Sequence, residues 1–134
     1  MANYYQYKDG FGSTAAYQVS GKPYATGSLS AEASSGTALK VSFPACTRWF
    51  SVINRSDQDL RVGFSAIGTK GANYFCVRGT ATAGHGDVRY EARVREIYIL
   101  SNNTAITSKI DIVAGLTEIP SGSVPNWSGS VGIG

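Results

Sequence analysis

Residues 39–66 read LKVSFPACTRWFSVINRSDQDLRVGFSA, and the fold class follows from this stretch. Apolar side chains alternate with polar ones from Leu39 to Phe43, as they do in a half-buried β-strand. Residues 47–54 are apolar on both faces, which is typical of a central strand covered on both sides. Residues 60–66 alternate cleanly again after a turn rich in Asp and Ser, and this places Phe64 in the core. The stretch therefore predicts consecutive β-strands.

The same pattern continues on both sides of this stretch. Helical periodicity is hard to find, and short β-rich runs end at Gly, Ser, Asn or Pro. The further predicted strands are residues 14–19, 28–33, 74–78, 89–100 and 106–116. Residues 20–23 and 68–71 are predicted turns, the second of them a hairpin loop. In the last strand one face carries the side chains of Ile106, Ile110, Ile112 and Ala114.

Seven or eight strands at this spacing predict two packed antiparallel sheets. We expect an all-β single jelly-roll β-sandwich of about eight antiparallel strands, with an immunoglobulin-like sandwich as the alternative. The 134 residues suffice for one domain, which buries its core without a metal or disulfide. The domain is expected to span residues 13–120, with an N-terminal arm at residues 1–12 and a C-terminal arm at residues 121–134.

The charge pattern favours protein partners over nucleic acid. Charged residues make up only 16% of the chain, against about a quarter in ordinary soluble domains. The net charge is +3, but the basic residues form no stripe. Glu91 and Glu96 interrupt the densest basic group, which comprises Arg89, Arg93 and Arg95. The sequence therefore predicts no nucleic-acid binding and a surface that other protein chains cover in part; a well-filled β core is the alternative reason for the low charge.

The residues that carry chemistry are too few for an active site. His85 is the single histidine, and no Gly-x-Ser-x-Gly motif accompanies it. Zinc needs three or four ligands, which one histidine and two separated cysteines supply poorly. Asp57 and Asp59 are the only close acidic pair and belong to a turn. We therefore expect neither an enzyme nor a cofactor nor a metal site.

The two cysteines, Cys46 and Cys76, are expected to be free buried thiols, because secreted disulfide scaffolds are denser in cysteine. The first residues show no charged start followed by an apolar run, so no signal peptide is expected. No run approaches the roughly 20 apolar residues of a membrane helix, so no membrane insertion is expected. The chain is therefore expected to be made in the cytoplasm.

The two arms differ in composition from the domain and are rich in aromatic residues and glycine. Ordering a Gly/Ser-rich segment costs about 1–2 kcal/mol per residue in backbone entropy, so an ordered arm needs anchoring contacts. Docking on a neighbouring copy is our prediction, and folding back on its own domain is the alternative. The predicted assembly contacts are Tyr4, Tyr5, Tyr7, Trp127, Val131 and Ile133.

Four segments together go beyond composition. They are VSFPACTRWFSVINRS (residues 41–56), LRVGFSAIGTKGANYF (60–75), EARVREIYIL (91–100) and IVAGLTEIP (112–120). Over residues 41–120 the chain resembles the small single jelly-roll capsid proteins of icosahedral double-stranded DNA viruses, in particular the penton proteins at fivefold vertices.

The resemblance implies a structural virion protein located in the capsid. It implies a homopentamer that contacts neighbouring major and minor capsid proteins. A minor capsid or decoration protein is one alternative. A carbohydrate- or receptor-binding β-sandwich is another, in which Tyr4, Tyr5, Tyr7 or Trp127 would stack on sugars. The virus and host stay undetermined, as do the residues that line the fivefold axis.

Overall fold

The computed structural model describes residues 22–79, 87–105, 107–123, 125–127 and 129–134. Within these residues the chain forms eight strands, which are β1 (Lys22–Ala31), β2 (Leu39–Ser42), β3 (Ala45–Asn54), β4 (Leu60–Gly63), β5 (Tyr74–Val77), β6 (Asp87–Tyr90), β7 (Glu96–Ser101) and β8 (Ser108–Pro120). A five-residue helix, α1 (Ala66–Lys70), joins β4 to β5, and a 3-10 turn (Ser121–Ser123) follows β8. The predicted N-terminal arm and the predicted strand 14–19 lie outside the described residues.

The strands form two four-stranded sheets in which every neighbouring pair is antiparallel. Sheet A has the order β1-β8-β3-β6, and sheet B has the order β2-β7-β4-β5. The prediction of an all-β chain with about eight antiparallel strands is therefore confirmed. Both the jelly roll and the immunoglobulin-like alternative are sandwiches of this kind, and they differ in which strands share a sheet. Here β1 and β2 belong to different sheets.

The inner faces of the two sheets share one hydrophobic core, as expected for a β-sandwich. Period-two alternation builds it, since every second residue of a strand faces the opposite sheet. In β8, the side chains of Ile110 and Ile112 are fully buried, while the side chain of Lys109, the residue before Ile110, is exposed to solvent. The fully buried large side chains are Phe50, Val52, Leu60, Val62, Val77, Ile97, Ile99, Leu100, Ile110, Ile112 and Ile119. The predicted inward face of the last strand is confirmed for its described members.

The predicted limits of the fourth strand are wrong at its end. The strand β4 ends at Gly63, because Ser65 caps α1 by accepting a hydrogen bond from the Gly68 amide at 2.9 Å. Phe64 therefore lies outside the strand and is only half-buried, and Ala66 is exposed. The predicted hairpin loop at residues 68–71 is the end of this helix and its C-cap, Gly71.

Two further predictions about strands need correction. Residues 22 and 23 belong to β1 and not to a turn. A proline is tolerated there because β1 is the edge strand of sheet A among the strands that the structure describes. The central strand β3 has one covered face only, since Trp49 and Ile53 are half-exposed on the outer face of sheet A. The sequence alone did not distinguish a strand that is buried on both faces from a strand whose outer apolar residues are partly exposed to solvent.

Candidate assembly interface at one end of the sandwich

The exposed apolar side chains of the described residues gather at one end of the sandwich, near the edge strands β5 and β6. Three large hydrophobic residues are exposed, namely Ile67 (76%), Tyr90 (39%) and Val131 (105%). Val131 borders a groove of about 300 Å³, and Tyr90 borders a second cavity of about 340 Å³. Phe64 lines both cavities. Ile67 lies on α1, three residues after Phe64 in the chain. We call this region, centred on Phe64, the apolar end.

Aromatic rings connect the apolar end to the core. Phe50, in the core, lies 6.5 Å from Phe64 in an edge-to-face arrangement and 6.0 Å from Tyr90 in a stacked one. Phe75 of β5 lies 4.4 Å from Tyr90 and 6.5 Å from Phe64, measured between ring centroids. Such pairs add about 0.5–1.5 kcal/mol beyond the area they bury. The exposed rim of the apolar end is therefore held on a rigid aromatic base.

The described residues of the C-terminal segment, 125–127 and 129–134, form a compact turn that we call the hook. Its backbone is bonded to itself: the amide of Ser130 donates to the Trp127 carbonyl at 2.9 Å, and the amide of Gly134 donates to the Ser130 carbonyl at 3.1 Å. Gly129 and Gly132 have φ near 89° and 87°, in the left-handed region that glycine reaches without strain. The Gly-rich composition that predicts a flexible arm thus also permits this turn.

The tip of the hook lies on α1. The Ser65 hydroxyl is 2.8 Å from the carbonyl oxygens of both Ile133 and Gly134 and donates to one of them at a time. A β-carbon on Gly68 would overlap the Ile133 carbonyl, so the glycine allows the close approach of the two backbones. We call the surface formed by Ser65 and Gly68 the seat of the hook.

The base of the hook is held by a buried carboxylate. Glu96 is 6% exposed, and its carboxylate lies 3.0 Å from the Lys40 ammonium and 3.6 Å from the Arg95 guanidinium. The side-chain amide of Asn126 donates to the same carboxylate at 3.4 Å. Burial alone would raise the pKa of Glu96, but the hydrogen bond and charge of Lys40, the Asn126 hydrogen bond and the Arg95 charge together lower that pKa. The hydrogen bond between Lys40 and Glu96 also raises the pKa of Lys40.

Trp127 anchors the hook on the chain's own domain. Its indole packs against a small buried cluster formed by Cys46 and Ile119. The guanidinium of Arg93 lies 5.5 Å from the ring centroid, within the range of a cation–π contact. The backbone of Trp127 has φ of 55°, an uncommon value for a residue other than glycine. The indole is therefore half-buried and held by contacts with its own domain.

The structure brings together three of the predicted assembly residues. Val131 is fully exposed, whereas Trp127 and Ile133 are half-buried against their own domain. Tyr4, Tyr5 and Tyr7 lie outside the described residues. Sequence reasoning missed Ile67 and Tyr90, whose exposure follows from the position of α1 after β4 and from the end of β6 at Tyr90. No signal in the local pattern would have singled them out.

The described residues offer little else that is reactive. They contain no group of His, Cys, Asp and Glu side chains arranged to hold a metal ion. Cys46 and Cys76 are both free thiols; Cys46 is buried, but the expectation of burial is wrong for Cys76, which is exposed on β5. His85 lies outside the described residues. None of the helices in the part of the chain that the structure describes has the length and apolar composition to span a membrane.

Comparison of the chain with protein-family models, with curated proteins and with solved structures found no match.

Proposed function

We propose that the chain is a single jelly roll. The support is the strand pairing: β1 pairs with β8, β2 with β7, β3 with β6 and β4 with β5. These four pairs are those of one long hairpin folded at α1. Rolling that hairpin adds the contacts of β8 with β3 and of β7 with β4, which complete two four-stranded sheets. Eight strands in two Greek keys define the jelly roll, an architecture common in viral capsids and lectins.

On this fold we propose a structural virion protein, the capsid penton at the fivefold vertices, which assembles as a homopentamer. The strand pairing carries the proposal, together with the resemblance of residues 41–120 to penton-type capsid proteins. Neighbouring major and minor capsid proteins are the other proposed partners. A minor capsid or decoration protein would use the same fold with a different copy number.

The apolar end supports assembly as the role of this surface. A closed ring of identical copies needs one face of each copy to meet a different face of the next. Exposed apolar side chains that lie together on a rigid base are typical of such contact faces. Val131 and Ile67 would supply aliphatic contacts, and Tyr90 would add an aromatic one whose hydroxyl stays in water.

A carbohydrate-binding module is the second candidate, because jelly rolls also serve as lectins. The half-exposed Trp49 on the outer face of sheet A is the described residue that favours it. The Arg89 guanidinium, however, lies 4.6 Å from the Trp49 ring centroid and covers that face. A sugar would have to displace the arginine, so this observation supports glycan stacking less well than the apolar end supports assembly.

The copy number of the purified chain tests the proposal. Native mass spectrometry and sedimentation velocity at micromolar concentration are expected to give a species of five times the 14.1 kDa chain mass. A chain that stays monomeric over that range and binds a glycan array would contradict the penton proposal and favour the lectin.

A charge placed on the apolar end tests the surface. Val131→Asp is expected to abolish the pentamer while leaving the domain folded, because the side chain is fully exposed. The matched control is Ala25→Asp, an exposed position on β1 at the opposite edge of sheet A. The control is expected to assemble as the parent chain does. A Val131→Asp chain that also assembled normally would remove the apolar end from the interface.

A further inference from the structure

We propose that the seat on α1 also takes the hook of a second copy, so that neighbouring copies exchange C-terminal hooks when they assemble. This inference rests on the proposed assembly function and deepens it. The structure itself indicates what would occupy the seat, because the hook of the same chain already lies on it. A segment that fits its own domain fits the identical site of a neighbour equally well, which makes domain swapping a low-cost route to oligomers.

The hook is built to move as one unit. Its turn is closed by its own backbone, with the Ile133 amide donating to the Ser130 carbonyl at 3.1 Å and the Gly129 amide donating to the Gly134 carbonyl at 3.0 Å. Detaching the hook therefore leaves these bonds intact. Its attachments to the rest of the chain include the Ser65 hydroxyl at the tip and the Glu96 carboxylate at the base. The identical domain of a neighbour offers the same Ser65 and Glu96 groups and would restore these attachments.

The connection between β8 and the hook permits a change of direction. After Pro120 the chain makes a single 3-10 turn through Ser121–Ser123. Gly122 in that turn is exposed, and a β-carbon added there would meet no atom within 4 Å. The centre of the turn at Gly122 therefore faces open space, although the turn itself contacts β3. Val131 in the hook is fully exposed, so its side chain is free to contact a neighbouring copy.

The seat and the hook can be disabled separately, which allows a complementation test with full-length chains. Gly68→Ala blocks the seat, because the new methyl group would overlap the Ile133 carbonyl, but leaves the hook intact. Trp127→Ala removes the anchor of the hook and leaves Gly68 and Ser65 unchanged. Gly122→Ala is the control, since its methyl group meets nothing.

If neighbouring copies exchange hooks, the Gly68→Ala chain and the Trp127→Ala chain are each expected to be monomeric when alone. An equimolar mixture of the two is expected to form a dimer that contains one chain of each kind. Native mass spectrometry distinguishes the two chains by mass, and the Gly122→Ala chain is expected to assemble like the parent. A mixture that stays monomeric would overturn the exchange, as would a Gly68→Ala chain that assembles normally. Thermal unfolding checks that both variants are folded.

A measurement on the parent chain keeps the test valid if a variant fails to fold. Isotope-labelled and unlabelled parent chains are mixed, dissociated and reassembled. Isotope-filtered nuclear Overhauser effects are then recorded between Ile133 and Gly68. Contacts between chains are expected under exchange. An assembled parent that shows these contacts only within single chains would refute the exchange and leave the assembly proposal standing, whereas a monomeric parent would refute the assembly proposal itself.

Discussion

The ammonium of Lys40 lies 3.0 Å from the carboxylate of Glu96, which is itself almost completely buried beneath the base of the hook. The two residues are on neighbouring strands, β2 and β7, two residues out of register, so that their side chains share one face of the sheet. The pair therefore links the stability of sheet B to the attachment of the C-terminal segment.

This pair predicts a pH dependence of folding. The pKa of Glu96 is lowered from 4.5, so its contribution is complete above that pH and is lost as the pH falls through the lower folded value. The pKa of Lys40 is raised from 10.5, so its contribution is complete below that pH and is lost only as the pH rises through the higher folded value. We expect Lys40→Met to lower the free energy of unfolding by a constant amount between about pH 5.5 and about pH 9, and by less in more acidic solution.

Urea unfolding of both chains across this pH range measures the difference. Lys22→Met is the control, because it removes an exposed lysine at the start of β1 and is expected to leave the pH profile unchanged. A Lys40→Met difference that grows in acid would contradict the assignment.

Alanine substitutions of two phenylalanines test where the hydrophobic core of the sandwich ends. Phe50 is fully buried, and Phe50→Ala is expected to lower the free energy of unfolding by about 3–5 kcal/mol through loss of contacts and cavity formation. Phe64 is half-buried at the apolar end, so Phe64→Ala is expected to cost roughly 1–2 kcal/mol. Denaturant unfolding of the monomeric Val131→Asp background separates these losses from effects on assembly. Equal losses for the two variants would place Phe64 in the core after all.

A buried asparagine organises the turn between β3 and β4. The side-chain amide of Asn54 donates to the Gln58 carbonyl at 2.7 Å and to the Val77 carbonyl at 3.3 Å, and its oxygen accepts from the Ser56 amide at 3.0 Å. Asn54→Ala leaves these groups without that partner and is expected to cost about 2–3 kcal/mol in denaturant unfolding. Asp57→Ala, at an exposed position in the same turn, is expected to change stability by less than about 0.5 kcal/mol. Similar losses for both would show that Asn54 is not the organising residue.

The two thiols are expected to differ in reactivity. Burial raises the pKa of Cys46, and burial together with the charge of Asp59 raises the pKa of Cys76, so both thiols are mainly protonated at neutral pH. Cys76 is exposed, however, and is expected to react slowly with Ellman's reagent in the folded chain, at a rate that rises with pH. Cys46 is expected to react only after unfolding. Cys76→Ser should abolish the folded-state reaction; a thiol that still reacts in that variant would show that Cys46 is accessible.

The alternation of apolar and polar residues was sufficient to predict most of the described strands and their inward faces. It was wrong for residues 89–100, predicted as one strand, because β6 ends at Tyr90 and β7 begins at Glu96. Ile110 and Ile112 face the core as expected, because a period of two is a local property of an extended chain. The same reasoning failed at Phe64 and at Cys76. Phe64 continues the alternation of β4, but the cap formed by Ser65 ends the strand one residue earlier. Cys76 lies among apolar neighbours, but its strand is at the edge of sheet B and its side chain faces outward.

Composition and periodicity thus carry the all-β class and the number of strands, since both depend on contacts between near neighbours in the chain. The pairing of the first strand with the last, the gathering of Ile67, Tyr90 and Val131 at one end, and the fit of Ile133 over Gly68 all arise from contacts between distant residues. Such contacts form only after loops close and sheets pack, and no local pattern encodes which strand edges meet. The surface proposed for assembly is therefore a property of the folded chain.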